Sequence, residues 1–551
     1  MALSPVDAVI VGAGGGGGIV AQQLARAGWK VVLLERGRHQ KFDDTRHDEL
    51  FSQRTTVLGN AFGPDDKRNV RLRQADNGDW VKVLPSEGGY HNTAAVVGGG
   101  TLSYGAMAWR FLPKDFRMRS TYGAPSGSTL EDWPISYDEL APYYDMAEWE
   151  LGVSGKAGAN PFEGPRSKGY PMPPLPFNQE AALLAPAGRK LGLHPFPIPM
   201  AINSVPYGGR PACIHCPHCV GFRCEVDAKS STAVTVIPRA IATGNCELRT
   251  ECFVKEVLTD AKGNATGVSY FNPSGRLETQ LAKVVVVAAS ATETARLLLN
   301  SKSRLHPTGL GNHHDWVGRN LQGHAYTGAF GLFEQEVWDG MGPAASIATC
   351  DFNHGNDGLI GGGMLANEFI RLPYLFARTT HPPGAPRWGK AHKDWQRRFY
   401  KRSIGVKGPV QEIPRWENRV EIDPKLTDYW GIPTIRISGQ KHESDIRTAA
   451  FLASKAAAWL RAAGAVEVFE QLPNRAVSGG QHQAGTARMG ADAKLGAVDR
   501  DCRVYGTDNL YIADGSVHVT NGGFNPSLTI QALAFRTSER ILASGHVPRR
   551  A

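Results

Sequence analysis

The stretch from Val6 to Glu35 leaves this chain few folds to choose from. An apolar run ends in Gly12, and Gly12, Gly14 and Gly17 satisfy G-x-G-x-x-G. A helical pattern then places Ile19, Val20, Leu24 and Ala27 on one face, Gly28 stops it, and Val31–Leu34 reads as a second buried strand closing on Glu35. Strand, glycine turn, helix, strand and acid in that order are the parts of a dinucleotide-binding β-α-β unit. Gly12 permits the tight turn, Gly14 lets backbone approach a pyrophosphate, and Gly17 lets the helix pack on its strand. The helix N-terminus offers N–H groups and a partial positive charge to phosphate. Glu35, 23 residues beyond Gly12, is placed to accept the ribose hydroxyls. An acid there disfavours a 2′-phosphate, so FAD or NAD is expected rather than NADP.

A chain of 551 residues is too long for one simple core, so two or more subregions are expected. Hydrophobic content of 42% and charged content of 21% describe an ordinary globular chain. The net charge of +9 is not gathered into a basic arm, so nucleic acid is not an expected partner. No apolar run approaches the roughly 18 residues of a membrane span. The first strand begins too close to Met1 to leave room for a cleavable export signal, so none is expected.

Residues 36–79 are polar and charged, as in a surface excursion. Val96–Gly105 is a second glycine-rich loop, where Gly99 and Gly100 suit close approach to a flat ligand. Ser136 with Glu139 forms a capping box ahead of an amphipathic segment ending near Gly152. Residues 161–211, rich in Pro and Gly, read as an extended connection. From Phe253 to Ala289 the pattern is β, with Val284–Val287 expected to be buried on both faces, and Thr292–Leu299 looks helical. Lys390–Arg402 is strongly basic with interleaved aromatics and is expected as a solvated helix face. Asp445–Ala463 is an Ala-rich helix, and Leu510–Ala513 returns to strand before Asp514.

Eight cysteines in so large a chain do not make a disulfide framework. Cys246, Cys252, Cys350 and Cys502 are scattered, whereas Cys213, Cys216, Cys219 and Cys224 cluster. Four thiols so close in sequence can wrap an iron–sulfur cluster or a zinc ion, or remain as thiols or disulfides.

Taken together, the N-terminal β-α-β unit, Val97–Gly100 with Ala108–Phe111, Trp133–Gly152, Val317–Leu321, His482–Gly490, Asn509–Ser516 and Asn525–Thr529 resemble the glucose–methanol–choline (GMC) family of FAD oxidoreductases, in particular its bacterial gluconate and glucose dehydrogenases. The resemblance implies an α/β chain with a Rossmann-like FAD-binding domain, discontinuous in sequence, around an inserted α+β substrate domain with an antiparallel sheet. The expected divisions are 1–125, 213–320 and 473–551 for the FAD domain, with 126–212 connecting and 321–472 for substrate.

It also implies roles. His482 falls where the family keeps its catalytic histidine, and Asn525 where its partner histidine or asparagine lies. A neutral imidazole can take an alcohol proton while hydride leaves carbon for flavin N5, and an amide beside it can hold the alcohol oxygen. Gly99, Gly100, Val254 and Asp514 match positions that line FAD. Ser103 replaces a histidine at the loop where some members attach FAD covalently, so noncovalent FAD is expected. Thr294-Ala295 departs from the family's Ser/Thr-Pro.

Related glucose dehydrogenases bind an iron–sulfur cluster through three cysteines in the Cys213–Cys224 region. Cys213 and Cys219 keep that spacing, Cys224 falls one residue late, and Cys216 is extra. The implied activity is oxidation of an alcohol on a sugar, sugar acid or glycoside. Oxidation of a primary aromatic or aliphatic alcohol, or a lyase with structural FAD, are the alternatives. The implied partners are a small accessory subunit and a cytochrome. Location is expected to be cytoplasmic, or periplasmic if the chain is exported with a signal-bearing subunit.

Overall fold

Two parallel strands, Ala2–Val11 and Leu277–Val287, form the spine of the structure, a computed structural model that describes residues 2–50, 61–367, 370–480 and 482–547. Val9 pairs with Val285 and Val11 with Val287. Val31–Leu34 adds parallel on one side with Cys246–Arg249 beyond it, and Leu510–Ile512 pairs parallel with Leu277–Val287. Phe253–Thr259 and Ala265–Phe271 complete a seven-stranded sheet by antiparallel pairing. This sheet therefore draws its strands from three separate stretches of sequence. Val284–Val287 are wholly buried, which is why that run carries no polar alternation.

The Gly17–Arg26 helix packs on this sheet through Ile19, Val20, Leu24 and Ala25. It ends at Arg26, so Ala27, expected on the buried face, lies exposed at the C-cap, and Gly28 turns the chain at φ 82°. The Ala291–Asn300 helix follows the central strand. Ser136 and Glu139 form the expected capping box on the Tyr137–Leu151 helix, which stops at Gly152 in the left-handed region.

A second sheet of six strands is antiparallel throughout. Its longest pair is Ala325–Leu332 with Ser403–Val410, and the Glu443–Ala462 helix covers it with Leu452, Ala456 and the fully buried Trp459. The family's mixed architecture, a Rossmann-like α/β part beside an antiparallel sheet, is present.

A third, four-stranded sheet corrects one expectation. The polar region 36–79 is not wholly a surface excursion, because Arg71–Gln74 pairs parallel with Pro433–Ser438. Arg71 is buried there as half of an ion pair, so its charge concealed an inward-facing position. The expected extended connection over 161–211 likewise contains a helix, Gln179–Lys190, capped by the Asn178 side chain and tolerating Pro186 in its interior. The basic segment forms the Gly389–Phe399 helix with no fully buried residue, as expected of a solvated face. Among the described residues no helix is long and apolar enough to cross a membrane.

Candidate active site

A cavity of about 590 Å³ runs from the carboxyl end of the seven-stranded sheet to the six-stranded one, where Tyr326 and Lys407 on two interior strands line it. Gly12, Gly14, Glu35, Gly99, Gly100, Val254 and Asp514 line it, and so do His482 and Asn525 at its other end. Residues separated by most of the chain thus share one surface.

Each glycine of the fingerprint has a distinct steric reason. Gly12 adopts φ 102°, and a Cβ there would sit 2.3 Å from the Ala288 carbonyl oxygen. Gly17 does not line the cavity; its Cβ would meet the Gly12 oxygen at 2.0 Å, so it serves helix-on-strand packing. A Cβ on Gly14 would meet nothing within 4 Å, leaving that backbone open to the cavity. At Gly99, φ is 52° and a Cβ would press on Gly14 Cα at 2.9 Å, so the two glycine loops need each other to be bare. No side chain caps the Gly17–Arg26 helix and no acid lies in its first turn, so its positive end faces the cavity.

Glu35 is buried at the strand end, accepting from the Ala13 amide at 2.9 Å and the Gly37 amide at 2.8 Å. Burial pushes its carboxyl up from the ordinary value, against the pull of those amides. Asp514 accepts from the Ser290 amide at 3.0 Å and the Ser516 amide at 2.9 Å, and holds Thr294 Oγ1 at 2.5 Å. It thereby fixes Ser290 at φ 76° at the start of the Ala291–Asn300 helix. Thr294 is thus a partner of Asp514, which gives its place in the divergent Thr294-Ala295 pair a structural reason.

The open backbone at Gly14, the uncapped helix and the ribose-side acid suit a dinucleotide of FAD type. Glu293, which the sequence did not single out, also lines the cavity. It accepts from Arg71 at 2.5 Å and lies 3.7 Å from Arg36. Burial opposes its ionisation, yet Arg71, Arg36 and Arg296 pull it down to about 2.

At the far end, hydrogen bonds fix the tautomer of His482. His324 Nε2 lies 2.8 Å from the Gly522 carbonyl, which can only accept, so Nε2 carries the proton. Burial lowers the pKa of His324 and keeps it neutral, leaving its Nδ1 an acceptor. His482 Nδ1 is 3.0 Å from that atom and must donate. The lone pair of a neutral His482 is therefore on Nε2, 3.3 Å from Asn525 Nδ2.

Asn525 is oriented in turn. Trp109 Nε1–H donates to its Oδ1 at 3.1 Å, which turns Nδ2 toward His482 and toward the Tyr326 hydroxyl at 3.1 Å. His482 itself adopts φ 72°, held by a 2.7 Å bond from Asn521 Nδ2 to its carbonyl. His324, Trp109 and Tyr326 thus belong to the site. Only Trp109 lay inside a motif; His324 and Tyr326 lie three and five residues beyond Leu321, the end of the Val317–Leu321 match.

Two GMC oxidoreductase models match the chain, the N-terminal one over residues 90–326 and the C-terminal one over 414–534. The 2-methyl-1,2-propanediol dehydrogenase of Mycolicibacterium austroafricanum is 32% identical over 97% of this chain and 95% of that protein. The chain belongs to the GMC oxidoreductase family. It is also similar to the gluconate 2-dehydrogenase flavoprotein of Pantoea cypripedii, 28% identical over 98% of this chain and 94% of that protein. Among solved structures, pyridoxine 4-oxidase superposes with a TM-score of 0.65 at 17% identity, covering 98% of this chain and 99% of the other, which supports the fold. A GMC oxidoreductase is a flavoprotein acting on CH–OH groups.

Ser103 also lines the cavity. The cysteine loop touches the same wall through Val220. All eight cysteines are free thiols. Cys213, Cys216, Cys219 and Cys224 do not converge as one ligand set. Among the described residues, the group whose ligand atoms approach within 4.8 Å of one another is His47, Cys216 and His218. Cys219 is instead buried beneath the loop, whose Cys219 and Phe222 carbonyls are tied down by the Lys229 ammonium.

Proposed function

We propose that this protein oxidises a secondary or primary alcohol on a polyol, such as a sugar, sugar acid or glycoside. The observation that carries the reading is the directed lone pair on His482 Nε2 beside the Asn525 amide, at the cavity end opposite the glycine fingerprint. FAD, when bound, supplies the two-electron acceptor for the hydride on the alcohol carbon. His482 Nε2 takes the hydroxyl proton, and the resulting imidazolium donates from Nδ1 to His324, which is fixed in place to receive it. Asn525 Nδ2 donates to the alcohol oxygen and stabilises its developing charge. Trp109 and Tyr326 hold the amide in that orientation.

Noncovalent attachment follows from Ser103, whose hydroxyl cannot form a histidyl link. A second reading, a small aliphatic diol, is favoured by the apolar side of the substrate end, where Ile370 and Leu375 face the cavity. The sugar-acid and diol relatives named above support the two readings respectively.

Dehydrogenase action with electrons passed to an accessory subunit and a cytochrome is favoured over reaction with O₂. The exposed basic face of the Gly389–Phe399 helix offers an acidic partner a surface. Location then follows the partner, periplasmic if a signal-bearing subunit exports both chains and cytoplasmic otherwise.

The test is anaerobic mixing of the FAD-loaded protein with gluconate, aldoses, a glycoside and 2-methyl-1,2-propanediol while flavin absorbance is followed. Bleaching by a polyol supports the reading. Bleaching by no alcohol, with intact bound FAD, supports a lyase.

A further inference from the structure

We infer that His47, Cys216 and His218 form a mononuclear site for a divalent transition metal of the zinc class, clamping the cysteine loop to the N-terminal surface segment. The three side chains are partly buried, and one ligand atom from each lies within 4.8 Å of the others. A tetrahedral zinc with bonds of about 2.0–2.3 Å holds its ligands roughly 3.3–3.8 Å apart, so closing the site takes side-chain adjustment rather than backbone rearrangement. The donor set, one thiolate and two imidazoles, suits zinc.

Three details of the surroundings fit ligands waiting for an ion. His218 Nδ1 is buried with no hydrogen-bond partner, a cost that an ion would remove. His47 Nε2 lies 3.3 Å from the Arg223 carbonyl, so donation there leaves its lone pair on Nδ1, as in imidazoles held by an outer carbonyl around a metal. The two rings stack with centroids 4.5 Å apart and planes at 18°, while Phe222 meets both edge-on, excluding water from one side.

The loop that presents Cys216 and His218 is already fixed. The Gly342 amide donates to the His215 carbonyl at 2.8 Å, the Gly221 amide donates to the Ser103 carbonyl at 2.7 Å, and the Lys229 ammonium bonds the Phe222 carbonyl at 2.8 Å. Three protein ligands leave a fourth position for water. Because Val220 of this loop and Ser103 both line the FAD cavity, a metal here stiffens the wall against which the cofactor lies. This inference is independent of which alcohol is oxidised.

The experiment uses the full FAD-loaded protein, dialysed against a zinc buffer and then metal-free buffer. Elemental analysis is expected to find about one zinc per chain. X-ray absorption at the zinc edge is expected to show one sulfur and two imidazole nitrogens. His218→Gln should lower bound zinc at least tenfold while keeping FAD, and Cys213→Ser should keep both. Cobalt-exchanged wild-type protein should gain absorption bands at wavelengths beyond the flavin, which reads the site even if the variants fail to fold. Absence of stoichiometric metal, a sulfur-only shell, or iron with acid-labile sulfide would overturn the inference.

Discussion

Replacing His324 by leucine separates the role of this histidine from mere packing. In the native structure His324 Nδ1 receives His482 Nδ1–H at 3.0 Å while its own Nε2–H is anchored to Gly522 at 2.8 Å. Leucine fills much of the volume but removes the acceptor. A buried donor left without a partner costs about 1–3 kcal/mol, and His482 escapes that cost by turning or by moving its proton to Nε2, where it can no longer act as a base. At about 1.4 kcal/mol per tenfold, kcat/KM falls roughly 5- to 150-fold. The charged imidazolium loses more than the neutral ring, so the acid limb of the kcat/KM profile moves to lower pH. The assay is anaerobic stopped-flow reduction of bound flavin across pH, with FAD content and Tm measured on the same preparation. A fully FAD-loaded His324→Leu protein with wild-type rate and an unmoved acid limb would refute the tautomer argument.

Other changes give equally specific outcomes. Gly14→Ala places a methyl in open cavity, so Tm of the FAD-free protein should stay near wild type while FAD retention falls; Gly17→Ala drives its Cβ onto the Gly12 carbonyl and should lower Tm in both forms, as thermal scans with and without FAD will read. Glu293 has its ordinary 4.5 lowered to about 2 in the fold. Its stabilisation is therefore present above 4.5 and lost as pH falls toward 2, and Glu293→Gln should cost up to about 3 kcal/mol at pH 7 with the gap to wild type closing on acidification, as urea titrations at several pH values will show. Trp109→Phe keeps the aromatic packing against Phe524 but frees the Asn525 amide to rotate, so kcat should fall roughly 3- to 10-fold with FAD binding intact, the share of about one hydrogen bond.

Much of the nucleotide-binding part was legible because its constraints are local. Gly12, Gly14, Gly17 and Glu35 act through neighbours within one β-α-β unit, and Val284–Val287 announces its burial by composition alone. The alcohol end was legible only by resemblance, since His482, Asn525 and His324 meet through tertiary contact and carry no periodic signal. Arg71 and Glu293 were hidden because each neutralises a charge that, read singly, points to solvent. The cysteine cluster misled in a physical way. Closeness in sequence brings thiols into one loop, but the loop's turns and the Lys229 anchor aim Cys216 toward His47, a residue contributed from far away in the chain.

The central claim is that His482 is the base at this flavin site. Its most direct test is the rate of anaerobic flavin reduction by the best polyol substrate in His482→Ala, measured on protein that retains FAD. The account predicts a reduction rate lower by roughly 10²–10⁴-fold, the usual contribution of a positioned general base. Reduction at the wild-type rate would contradict it.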